Sequence, residues 1–136
     1  MRSKLLCVLL LGLYSSLYSQ VFTIETDIPV SMDDELLSNP WAGGLNSGQY
    51  SKMDVNNDQL EDLIIFDRTN NRISVFVVDQ EGQYVYDPIY TTIFPSDITD
   101  WMLLRDFNCD GLKDIFTSDP FGIRVFVNEG DQEGPR

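Results

Sequence analysis

The chain has 136 residues, which suggests one domain or part of one, and its 43% hydrophobic and 12% aromatic content is enough for a packed core. Nine Lys and Arg against 22 Asp and Glu give a formal charge of −13, which argues against nucleic acid and anionic membrane surfaces, since both are held by basic groups. Histidine is absent, so His-containing triads, His-ligated zinc and His general bases are excluded.

Arg2 and Lys4 precede an apolar run from Leu5 to Leu13 and the small polar stretch Tyr14-Ser15-Ser16-Leu17-Tyr18-Ser19. This is the layout of a secretory signal peptide over residues 1–19, and the run is short of the ~20 apolar residues that span a bilayer. The expected location is therefore secreted or cell surface, with no transmembrane span after cleavage. Nine basic residues less Arg2 and Lys4 leave seven against 22 acids, a formal −15. Cys109 is then the one remaining cysteine, with no internal disulfide partner, and reads as a small filler. Residues 20–39 read as an N-terminal extension, with at most a helical turn around residues 33–37.

From residue 40 onward the chain repeats. Residues 54–67 and 106–119 agree at Asp54/Asp106, Asn56/Asn108, Asp58/Asp110, Leu60/Leu112, Asp62/Asp114 and Asp67/Asp119, each 52 apart. Val75-Phe76-Val77 is answered by Val125-Phe126-Val127 at a spacing of 50, which predicts a turn two residues shorter in the second copy. The repeats divide at 40–92 and 93–136. Gln49 to Met53, Leu63 to Phe66 and Ile73 to Val78 read as strands, and Tyr84 to Tyr86 with residues 89–93 as one further edge strand broken by Pro88. Asn70-Asn71 suits the positive φ of a tight turn. Trp101 to Leu104 opens the second copy. Four short strands per repeat of about fifty residues predicts an all-β fold of tandem four-stranded antiparallel blades, an incomplete β-propeller. Closed propellers need roughly four to eight blades. The expectation is therefore the N-terminal part of a longer exported protein with further blades downstream. The rival is a short chain that forms a ring from several copies.

The loops between strands carry the chemistry. In Asp106-x-Asn108-x-Asp110-Gly111-Leu112-x-Asp114, side-chain oxygens at positions one, three and five, the Leu112 carbonyl at seven and a carboxylate at nine can converge on one hard cation. Ca2+ takes six to eight such oxygens in flexible geometry. Gly111 permits the sharp turn, and the Leu112 side chain is expected to anchor the loop in the core. Asp54, Asn56, Asp58, the Leu60 carbonyl and Asp62 form an equivalent set. There Gln59 replaces the glycine, and a left-handed backbone at that position costs roughly 1 kcal/mol. Two structural Ca2+ sites are expected, the first weaker. Position twelve is Ile65 in one loop and Thr117 in the other, and strands follow, so neither is an EF-hand.

Asp-x-Asn-x-Asp-Gly-x-x-Asp-Ile, followed by a strand, a turn and Arg124-Val125-Phe126-Val127-Asn128-Glu129-Gly130-Asp131, resembles an FG-GAP/VCBS repeat over residues 40–136. The resemblance implies a propeller like the N-terminal head of integrin α chains, with calcium between the first strands of a blade. It also implies a recognition or adhesion scaffold whose partner is an extracellular protein or glycan. Asp67 and Asp119, outside the loops, read as turn or strand-end residues. A carbohydrate-binding protein, or the non-catalytic part of a polysaccharide-active enzyme, is the alternative. Trp41, Trp101, Tyr84, Tyr86 and Tyr90 would then stack on sugar rings, although aromatics in strand-rich repeats are usually core. No catalytic residues are expected within the segment, because its close carboxylate pairs are already assigned to metal.

Overall fold

A computed structural model of the chain describes residues 24–130; the expected signal peptide lies outside them. The described part is mostly β, in three antiparallel sheets. Strands β1 (Ser31–Met32) and β2 (Glu35–Leu36) form a small hairpin. Strands β3 (Gly48–Met53), β4 (Asp62–Asp67), β5 (Arg72–Val78) and β6 (Tyr84–Tyr86) form a four-stranded meander. Strands β7 (Met102–Arg105), β8 (Asp114–Asp119) and β9 (Gly122–Phe126) form a three-stranded one. Among the described residues no helix is long and apolar enough to cross a membrane.

Two sequence expectations are corrected. Residues 33–37 do not begin a helical turn: Asp33 and Asp34 take φ of 53° and 66° and form the two-residue loop between β1 and β2. Paired positive φ values are what such a tight hairpin needs, and Asp tolerates them. Residues 89–93 are not a strand. They belong to a 3₁₀ helix, Pro88–Ile93, that Asp87 caps by accepting the Ile89 N–H at 3.0 Å. Pro88 at the first helical position has its φ already set for a helix, and its missing N–H costs nothing there. Tyr90 and Ile93, three apart and so on one side of the turn, pack against the core.

The change of repeat spacing from 52 to 50 has the expected origin. In the first meander Asp67 pairs with Arg72 across the turn; in the second Asp119 pairs with Gly122. Four residues join β4 to β5 and two join β8 to β9. Asn71 in the longer turn has φ 49°. The aspartates close both turns. Asp67 is buried and accepts the N–H groups of Asn46, Ser47 and Thr69 at 3.0, 3.3 and 3.0 Å. Asp119 accepts the Phe121 N–H at 3.2 Å and pairs with Arg124 at 2.8 Å.

Cross-strand partners share a sheet face, so register decides what is buried. On the first meander Met53, Ile64, Phe66, Ile73 and Val75 form one face. They pack with Met102, Leu104 and Ile115 of the second meander, and with Phe94 and Ile98 of the connecting segment, in a single core. Polar links reinforce the contact: Gln49 Oε1 accepts the Met102 N–H at 3.0 Å, and Arg68 Nε donates to the Asp100 carbonyl at 2.8 Å.

Backbone N–H donors hold the Asp67 carboxyl below its ordinary pKa, Asn46 and Thr69 first, and the Arg72 charge adds to the effect. A depressed folded-state pKa gives stability that is present above the unfolded value, about pH 4, and lost as pH falls through the folded one. Melting temperatures followed down that acid range should therefore fall for the wild type. Asp67→Asn should start lower at neutral pH and converge on the wild type in acid; a gap that persists at all pH values would assign the loss to packing alone.

Candidate metal centre

The two acidic loops connect β3 to β4 and β7 to β8, and their hydrogen bonds match almost one for one. In the first, Asp54 accepts the N–H groups of Asp58 (3.2 Å) and Gln59 (2.8 Å), and Asn56 Oδ1 accepts that of Asp58 (3.0 Å). Asn56 Nδ2 donates to Asp58 Oδ2 at 2.9 Å, and Asp58 Oδ1 accepts the Leu60 N–H at 2.8 Å. In the second, Asp106 accepts from Cys109 N (2.6 Å) and Gly111 N (3.0 Å), and Asn108 Oδ1 from Asp110 N (3.2 Å). Asn108 Nδ2 donates to Asp110 Oδ2, and Asp110 Oδ1 accepts from Leu112 N, both at 2.8 Å. Short polar side chains bonding back to the next residues' N–H groups are what curl an Asp/Asn-rich segment into such a turn.

Backbone conformation repeats too. Position four is left-handed in both loops, Asn57 at φ 61° and Cys109 at 64°; position six is also, Gln59 at 73° and Gly111 at 90°. The expected strain at Gln59 is therefore present. Cys109 is not a buried filler: it is exposed at the loop surface, because position four turns outward. The Leu side chains anchor their loops unequally, Leu112 half-buried and Leu60 exposed.

Position nine differs from the other ligand positions. Asp62 and Asp114 are fully buried. Asp62 accepts the N–H groups of Val55 and Val78, both at 2.9 Å. Asp114 accepts those of Phe107 (2.6 Å) and Asn128 (2.8 Å). Val55 and Phe107 occupy position two of their loops, while Val78 ends β5 and Asn128 follows β9, so each carboxylate ties its loop to the far end of the next hairpin. Sequence reading missed this clamp and the part played by Asn128. The signal available was an acid flanked by the apolar start of a strand in both copies.

Burial raises the Asp62 pKa from its ordinary value; the N–H groups of Val55 and Val78 oppose this, and the charges of Asp58 and Asp54 add to it. Ionised Asp62 thus weighs against the fold at neutral pH, an effect that disappears as pH falls below the unfolded value.

The loops lie side by side. Lys113, at position eight of the second, pairs with Glu61 at position eight of the first and donates to the Lys52 carbonyl at 2.8 Å. A cleft of about 240 Å³ opens between them, lined by residues that include Asp54, Glu61, Gly111, Lys113 and Asn128. Among the described residues no three His, Cys, Asp or Glu side chains are grouped closely enough to hold a metal as they stand. The oxygens of positions one, three and five are turned to their own loop's N–H groups, with position nine engaged below. The donor chemistry nevertheless fits a hard cation: all the side-chain donors are oxygens, and a carboxylate oxygen that accepts one N–H retains a second lone pair.

Of the aromatic residues considered for sugar stacking, Trp41 is exposed and donates to the Ile28 carbonyl at 2.9 Å, whereas Trp101, Tyr84, Tyr86 and Tyr90 are half-buried. Tyr86 packs on Phe76 with ring centres 5.5 Å apart. Compared with family models, curated proteins and solved structures, the chain matches none.

Asp62→Ala or Asp114→Ala strands two N–H groups, at about 1–3 kcal/mol for each buried one, and should lower urea-unfolding stability by about 2–4 kcal/mol. Asparagine supplies one acceptor and turns an NH2 toward the other N–H, so Asp114→Asn should recover no more than half the loss; full recovery would refute the two-acceptor clamp. A Cβ at Gly111 meets nothing within 4 Å, so Gly111→Gln should cost only the left-handed backbone term, about 1 kcal/mol. Gln59→Gly should be neutral to stabilising by a similar amount, and thermal melts of the two variants would check the pair of signs.

Proposed function

We propose that the chain is a calcium-stabilised β-repeat scaffold of an exported protein, serving recognition or adhesion. The observation that carries this reading is the near bond-for-bond equivalence of two Asp-x-Asn-x-Asp loops at the same point of two consecutive meanders. A solvated acidic turn has no need of the same oxygens, the same pair of left-handed residues and the same buried acid twice. Asp54, Asn56, Asp58, the Leu60 carbonyl and Asp62 would hold one Ca2+. Asp106, Asn108, Asp110, the Leu112 carbonyl and Asp114 would hold the other. Bound calcium supplies positive charge and no reaction: three carboxylates per loop repel one another until it neutralises them, and its binding free energy becomes folding free energy.

The four-stranded meander and the FG-GAP/VCBS-like loop motif together support a blade of a propeller, with further blades supplied downstream. The signal-peptide layout supports export. The partner would be an extracellular protein or glycan, met by loops of several blades. The sugar-binding alternative draws less support from the half-buried positions of four of its five aromatics.

Thermal unfolding in EDTA and in calcium tests the reading. A ligand at one hundred times its dissociation constant adds about 2.7 kcal/mol. For a domain of this size that raises the melting temperature by about 10–20 °C. The rise should shrink when Asp106 and Asp110 are both changed to Ala. Equal melting in both media by a folded chain would reduce the loops to ordinary acidic turns.

A further inference from the structure

Position eight is where the two loops carry opposite charges. Residues 54–62 hold four acids, Asp54, Asp58, Glu61 and Asp62, and residues 106–114 hold three, Asp106, Asp110 and Asp114. Lys113 is the one basic residue in either loop. The flanking cations are turned elsewhere. The Lys52 ammonium lies 5.9 Å from the centre of the Tyr84 ring, and Arg105 Nη1 donates to the Leu104 carbonyl at 3.3 Å. The Lys113 ammonium instead reaches out of its own loop to the other. It pairs with Glu61 and donates to the carbonyl of Lys52, two residues before Asp54, at 2.8 Å. Its backbone is held as well, the Lys113 carbonyl accepting Asn128 Nδ2 at 3.4 Å. Asp54 and Glu61 line the same cleft as Lys113. Both paired side chains are partly exposed, 33% for Lys113 and 56% for Glu61, so the pair has the worth of a surface bridge and is weakened by salt.

An ammonium in that seat brings one positive charge to seven acids from within the protein. We propose that Lys113 is the resident counter-cation of the two loops: it holds them together when no metal is bound and opposes calcium when metal arrives, with Glu61 acting on calcium in the opposite sense. Only the second half of this rests on the calcium reading above. The signs follow from charge. Loss of Lys113 leaves seven acids with no cation, which loosens the metal-free loops and makes them more attractive to a divalent ion. Loss of Glu61 leaves six acids and an unpaired ammonium in the cleft that Asp54 lines, which makes them less so. A bridge that did no more than fix the shape of the loops would give the two losses the same sign.

Thermal melts in EDTA and calcium titration calorimetry test this with Lys113→Met and Glu61→Gln, neither of which removes a proposed calcium ligand. Arg124→Gln is the control: it deletes one positive charge from the Asp97 and Asp119 pairs at the β8–β9 turn, the far end of β8 from its loop. In EDTA, Lys113→Met should lower the melting temperature by about 2–6 °C, the shift that loss of an exposed pair gives in a domain of this size, and Glu61→Gln should lower it less. Lys113→Met should tighten calcium binding by about two- to five-fold and Glu61→Gln should weaken it by a similar factor, both effects shrinking in high salt. Arg124→Gln should leave the affinity unchanged. Affinities that move the same way in both loop variants, or metal-free melts indifferent to Lys113→Met, would overturn the proposal. Calcium taken up with an affinity indifferent to both variants would overturn the competition and spare the calcium reading. A folded wild type that takes up no calcium would sink that reading and the competition together, and the melts in EDTA would still decide whether Lys113 is the counter-cation of the loops.

Discussion

The arrangement of both repeats depends on a buried carboxylate that accepts two backbone N–H groups. Asp62 joins the start of its loop to the end of β5, and Asp114 joins the start of its loop to the segment after β9. An unpaired buried N–H is expensive, so the loop cannot drift from the hairpin without cost. This fixes where positions one, three and five of each loop present their oxygens. The expense of burying the acid itself, visible in the raised pKa of Asp62, is the counterpart of that positional control. A cation beside the same carboxylate would lessen it.

The second constraint is register. Because side chains alternate across a strand, a one-residue slip would turn Ile64, Phe66, Ile73 and Val75 away from the core. The turns closed by Asp67 and Asp119 hold that register, in loops of different length that leave the pairing unchanged. The loops then fall at the same edge of neighbouring sheets, joined by Lys113 and Glu61. On the second sheet Ile123, the counterpart of the buried Ile73, is exposed.

Much of this was legible in the sequence because it is local. β-branched and aromatic runs marked β4 and β5, the repeat offset located the shorter turn, and the Asp/Asn spacing marked both loops and the left-handed position at Gln59. What was not legible depends on tertiary surroundings. Asp62 and Asp114 look like solvated ligands until the strands that bury them are placed. Cys109 looks like filler until position four is seen to face outward. Residues 89–93 have strand composition, but the local capping of Asp87 and the fixed φ of Pro88 won over it. Asn39, in the segment read as an extension, bonds the Tyr84 carbonyl and the Tyr86 N–H along the free edge of β6 (3.0 and 2.7 Å), a role that no spacing announces.

A loop built this way is a poor use of carboxylates unless something neutralises them. Titration calorimetry of calcium into the chelator-treated chain addresses that point most directly. The account requires two saturable sites per chain of unequal affinity, the weaker in the loop that carries Gln59. A folded chain that takes up no calcium, or one whose binding is unchanged when the oxygens of positions one and five are removed from both loops, would contradict it.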